Sequence, residues 1–135
     1  MLGLIEVSQT TMSMLSAFNT QLVNFFEELV GTFPEEKDIR MGLEAIQGAK
    51  KINPRLILDL FYEHVYKDLA EPITRRDIEL VQRVAHQKIS TQFNEIMPAL
   101  AIFDRLWAKM TTSNQEVVWK YMKVLCILCE KARGS

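Results

Sequence analysis

Cys126 and Cys129 are the only cysteines in the sequence, and their Cys-x-x-Cys spacing is the one pattern in it that suits metal or thiol redox chemistry. Such a pair works as thiolates, which need a helix N-terminus, a neighbouring cation or further ligands to form. Here it lies late in an apolar run that begins near Val117. The only histidines, His64 and His86, lack the spacing that would complete a zinc finger. The pair therefore reads as two small core residues, free in a reducing and intracellular setting, with no metal and no cofactor expected.

Neither histidine stands in a recognisable catalytic context, because the sequence contains no GxSxG, HExxH or papain-like cysteine motif. His64, on an apolar stripe, is expected to be a hydrogen-bonded core residue. The five glycines are scattered singly, so no phosphate-cradling loop can form. Glu27-Glu28 and Glu35-Glu36 are adjacent acids, and adjacent helical positions point apart, so neither pair should converge for acid–base work and both are expected to be solvated. No catalytic residue is predicted, and the chain reads as a non-enzymatic protein.

One anion-site candidate remains. Lys50, Lys51 and Arg55 surround the Asn53-Pro54 corner, where the amides of a new helix would also point outward. The two lysines suit the negative end of the preceding helix, whereas Arg55 in a first turn needs a negative neighbour. Asp59, four residues on, can supply it locally, and an external anion or partner is the competing reading. Arg75-Arg76 raises the same question beside Asp77 and Glu79. Phe61, Tyr62 and Tyr66 read as core and rim rather than as a base-stacking platform.

The elements that must position these residues are helical. With 135 residues, 48% of them hydrophobic and 24% charged, the chain is one ordinary domain with apolar surface enough for a core. Five glycines and four prolines are too few for a turn-rich β sandwich. A first helix should begin after Ser13 or Ser16, carry Phe18, Leu22, Phe25, Phe26 and Leu29 on one stripe, and stop at Gly31. Residues 1–14 form a separate segment, either an extra helix or a piece docked on a neighbour, ahead of a bundle over 15–135.

A second helix follows the Thr32-Phe33-Pro34 turn, with Glu35, Glu36 and Asp38 at its positive end and Ile39, Leu43, Ile46 and Ala49 on its apolar face. Asn53 as N-cap and Pro54 at the first position should open a third, ending before Pro72. Thr74-x-x-Asp77 reads as a capping box for a fourth through Ile89, running as far as Met97, with Pro98 restarting the chain into a fifth. Thr111 to Asn114 reads as a loop, and Ser113-x-x-Glu116 as the capping box of a last helix that is apolar nearly all round. Such a helix is buried centrally in its own bundle or packs on a second chain. The predicted fold is an all-α single-domain bundle of about five or six mostly antiparallel helices.

The net charge of −1 lacks the global footprint of a nucleic-acid binder. It is unevenly spread: residues 1–49 carry seven acids against Lys37 and Arg40, so the remainder is net basic. No apolar run is long enough to span a bilayer, and the N-terminal stretch, without a basic start and with Glu6 inside it, is a poor secretory signal.

Phe18-Asn19, Thr32-Phe33-Pro34-Glu35-Glu36-x-Asp38-Ile39, Lys51-Ile52-Asn53-Pro54-Arg55-Leu56-Ile57, Phe61-x-x-x-Val65 and Ser113-Asn114-x-x-x-Val118-Trp119-x-Tyr121 together form a pattern over about Leu15 to Ala132. In this pattern the chain resembles a family of small helical proteins encoded by large DNA viruses of algae and other eukaryotic microbes. The resemblance implies a viral setting, in the host cell or the virion, and carries over no residue role. The expectation is an interaction or scaffold protein, a viral structural or virion-associated subunit with self-association or another protein as partner. The alternative is a nucleic-acid-linked accessory factor presenting Arg55, Arg75, Arg76, Arg83 and Lys88 to phosphates.

Overall fold

The computed structural model describes residues 2–92 and 94–133, with side chains from residue 14 onward. It is an all-α bundle, and among the described residues there is no strand. The helices are α1 (Leu2–Thr32), α2 (Lys37–Ile52), α3 (Leu56–Phe61), α4 (Lys67–Arg75), α5 (Ile78–Thr91), α6 (Met97–Ala101) and α7 (Thr112–Ala132). A π turn, Tyr62–Tyr66, joins α3 to α4 in one rod, and a second, Ile102–Leu106, extends α6 into a 3₁₀ turn, Trp107–Lys109.

The stripe expected on α1 forms the middle of the core: Phe18, Leu22, Phe25, Phe26 and Leu29 are all buried. Phe18 meets Phe61 of α3 edge to face at 5.2 Å, and Phe25 stacks on Tyr121 of α7 at 4.8 Å. α7 lies antiparallel to α1, so that Gln21 is beside Val124 and Phe33 beside Met110. α2 turns back along α1, where Gly42 sits under Phe26 and against Pro98 of α6. A Cβ at Gly42 would lie 2.8 Å from the Pro98 Cβ, so the absence of a side chain permits this approach. A second aromatic group, Phe103, Trp107 and Trp119, closes the far end of α7, with ring centroids 5.1 to 5.8 Å apart.

Several boundaries differ from those read in the sequence. α1 begins at Leu2, so the expected division between residues 1–14 and the bundle falls inside one helix; whether the early side chains dock on a neighbour lies outside the described residues. α1 runs through Gly31 to Thr32 without a left-handed residue. At the next corner α3 starts at Leu56, not at Pro54. Asn53 Oδ1 instead accepts the Arg55 amide at 3.0 Å, an Asx turn, and the buried Asn19 donates Nδ2 to the Pro54 carbonyl at 2.9 Å.

Pro72 does not end its helix: it is buried in α4 between Leu69 and Ile73, and packing outweighs the one lost amide bond. α4 ends at Arg76, whose φ of 55° is left-handed, with Asp77 and Arg76 amides closing on the Pro72 and Ile73 carbonyls. Thr74 therefore lies within α4 and bonds the Ala70 carbonyl, and Asp77 is the cap of α5, accepting from the Leu80 amide. α5 stops at Thr91 rather than Met97, and Pro98 opens α6 as expected of a restart. Thr111, not Ser113, caps α7 by accepting the Asn114 amide at 3.1 Å.

Candidate functional site

The predicted anion corner is exposed throughout. Lys50, Lys51 and Arg55 all face solvent, and Ile52 between them is 88% exposed. Arg55 is 3.7 Å from Asp59, the local pairing expected from the sequence. Asp59 is shared with Arg133 at 3.3 Å, and the Arg133 guanidinium lies 3.7 Å over the Tyr62 ring. Among the described residues Lys50 and Lys51 make no ion pair.

The other predicted basic residues are largely engaged. Arg75 lies near Glu71 and Asp77, Lys88 bonds Asp68 at 2.6 Å, and Arg76 grips Glu116 with two nitrogens at 2.5 and 2.9 Å. That bidentate hydrogen bonding holds the Glu116 carboxyl below its ordinary range. Only Arg83 of the five residues in the nucleic-acid reading has no ion pair among the described residues. They do not form one free basic face.

The paired acids also differ from expectation at one position. Glu36 is half-buried, not solvated: its carboxylate accepts from Arg105 at 2.8 Å and lies 3.6 Å from Lys109. The hydrogen bond from Arg105 holds Glu36 below the ordinary carboxylate range. Arg105 also reaches Asp38 at 3.1 Å, while its neighbour Asp104 meets His86 Nδ1 at 2.9 Å. The π turn on which Asp104 and Arg105 sit thus faces two other helices at once.

His64 is half-buried on the first π turn, and among the described residues it has no hydrogen-bond partner, unlike the bonded core histidine expected. Cys126 and Cys129 are buried, and burial pushes both thiols up to about 12, so they persist as thiols rather than thiolates. Among the described residues no group of three or more His, Cys, Asp or Glu side chains is placed to hold a metal ion. No helix there is long and apolar enough to cross a membrane.

The feature that sequence reasoning placed on a helix but not on particular residues is the outer face of α7. Val118, Trp119, Met122, Leu125, Cys126 and Cys129 turn inward, so the helix is central to its own bundle. Val117, Val124 and Ile127 nevertheless remain 39, 41 and 43% exposed in a row along the outside. Between them stand Lys120 and Lys123, with Lys131 one turn beyond, all exposed and, among the described residues, without an ion pair.

Alongside this row runs a groove between α1 and α7. One stretch, of about 270 Å³, is floored by Phe25, Leu29, Phe33 and Met110; the next, about 230 Å³, is bordered by Gln21, Lys120, Tyr121 and Val124. Glu28 and Val117 line both. Burial, followed by the field of the Glu28 carboxylate, pushes the Tyr121 hydroxyl above its ordinary pKa. On the other side of the row, Tyr66 Oη donates to Glu130 at 3.0 Å beside a second hollow of about 270 Å³ against α4.

Compared with known proteins, the chain matches no family model, no curated protein and no solved structure.

Proposed function

We propose that this protein is a non-enzymatic, self-associating scaffold or structural subunit that uses the α1–α7 face as its contact surface. The resemblance to proteins of large DNA viruses supports a virion-associated setting for this role. The observation that carries the reading is Val117 and Val124, solvent-facing along a groove floored by Phe25, Leu29 and Phe33, with exposed Ile127 continuing the apolar row along α7. Large apolar side chains aligned next to a hollow are the surface a partner covers. A second copy is the occupant, because the groove carries acid on its α1 wall and base on its α7 wall, and one chain thus presents both halves of the complement.

Support against the nucleic-acid reading comes from Arg55, Arg75, Arg76 and Lys88, which lie in ion-pair contact with carboxylates of the same chain. The Lys50-Lys51-Ile52 corner is a secondary surface, set apart from the α1–α7 face. Sedimentation equilibrium of the wild-type chain and of Val124→Asp tests the proposal. The wild type should form a reversible dimer at micromolar concentration, and the variant should be a folded monomer, since a charge at the centre of an apolar contact is desolvated without a partner. Equal association of both would exclude this face.

A further inference from the structure

We infer that two copies pair about a twofold axis parallel to α1 and α7 and lying over the groove between them, so that each α1 rests on the partner's α7. This inference rests on the self-association reading and adds the geometry. Glu28 and Lys120 line the same groove, both exposed, and among the described residues neither is in an ion pair. The Tyr121 hydroxyl donates to the Glu28 carboxylate and Lys120 lies in the field of Glu116, so each keeps its charge at this surface without a direct ion pair.

A twofold interface brings the same patch of each copy together, and the direction of the axis decides which walls meet. An axis across the helices would stack α1 on α1 and α7 on α7, so that the wall carrying Glu28 meets its own copy and the wall carrying Lys120 meets its own. An axis directly over α7 would again oppose Lys120 to itself. The axis along the groove alone crosses the walls, and Glu28 of each copy then faces the partner's Lys120 twice over.

In that arrangement α1 and the partner's α7 run antiparallel, as α1 and α7 already do within one chain. Val117, Tyr121 and Val124 of both copies then face a shared centre, the arrangement of a four-helix bundle in which each copy supplies two helices. Charges at its rim fix which way the copies lie while the apolar centre holds them together.

Charge exchange tests the geometry. Lys120→Glu and Glu28→Lys each place two like-charged pairs in the crossed interface, and each should weaken dimerisation at least tenfold at low salt. Both positions are exposed, and circular dichroism should show both variants folded. Mixed in equal amounts, the two variants restore both pairs and should form a heterodimer of near wild-type affinity, and the double variant Lys120→Glu/Glu28→Lys should form a homodimer again. If the wild type is a dimer and both single variants dimerise as well as it does, or if mixing restores nothing, the twofold geometry is overturned while self-association stands. A wild-type chain monomeric up to high micromolar concentration would overturn both.

Discussion

Two faces of the bundle treat charge in opposite ways. On the face built by the start of α2 and the second π turn, Glu36 and Asp38 take Arg105, Lys109 approaches Glu36, and Asp104 takes His86, so the polar groups are satisfied by partners about 70 and 20 residues away in sequence. On the outer face of α7, Lys120, Lys123 and Lys131 stand without ion pairs among the described residues, along the helix that exposes Val117 and Val124 toward α1 and Ile127 toward α4. Both faces enclose the same core. Ion pairing that crosses between helices closes a surface within the chain, whereas unpaired charge interleaved with exposed apolar side chains leaves it open to a second molecule.

The largest expected effect of a substitution lies under the open face. Phe25 floors the groove, is buried, and stacks on Tyr121. Phe25→Ala should cost about 3–5 kcal/mol in denaturant unfolding, the range for emptying a buried aromatic site. It should also abolish association, because α1 and α7 would lose the contact that holds the groove in shape.

Glycines sharpen the contrast. Gly42→Ala sets a Cβ against Pro98 and the Phe26 ring and should destabilise by about 1–3 kcal/mol as overpacking outweighs the gain in helix propensity. Gly31, on the exposed side of α1, has open space where a Cβ would go, so Gly31→Ala should stabilise by about 0.5–1 kcal/mol. Thermal unfolding of the two variants side by side should show shifts of opposite sign.

The smallest effect belongs to the closed face and depends on pH. Because Arg105 holds Glu36 below its ordinary value of 4.5, the contribution of the pair is complete above that value and is lost as pH falls through the lower folded-state value. Arg105→Gln should therefore reduce stability at about pH 7, and by progressively less as the pH falls through the lowered folded-state value of Glu36. A pH-independent loss would mean that Arg105 acts through packing alone.

Much of the helix plan was legible, because the apolar stripe of α1 and the restart at Pro98 are local signals of spacing and of a fixed φ. The caps were less so. Ser113 and Thr111 both suit an N-cap, as do Thr74 and Asp77, and tertiary position decided for Thr111 and Asp77. Pro72 and the two π turns escaped a reading based on a period of 3.6, since buried neighbours hold Pro72 in place and an inserted residue leaves no compositional trace. The pairs Glu36–Arg105 and Asn19–Pro54 join distant residues through the fold alone. At the open face, the excess apolar character of α7 was visible in sequence, while the three residues left outside by its rotation against α1 and α4 were not.

The most direct test of the account is light scattering on the purified chain at micromolar concentration, at about 50 mM and about 500 mM salt. A mass near twice the 15.6 kDa of the chain is predicted at both, with a dissociation constant raised only several-fold at high salt, because an apolar centre resists screening and the rim charges do not. A mass of one chain at both salt concentrations would contradict it.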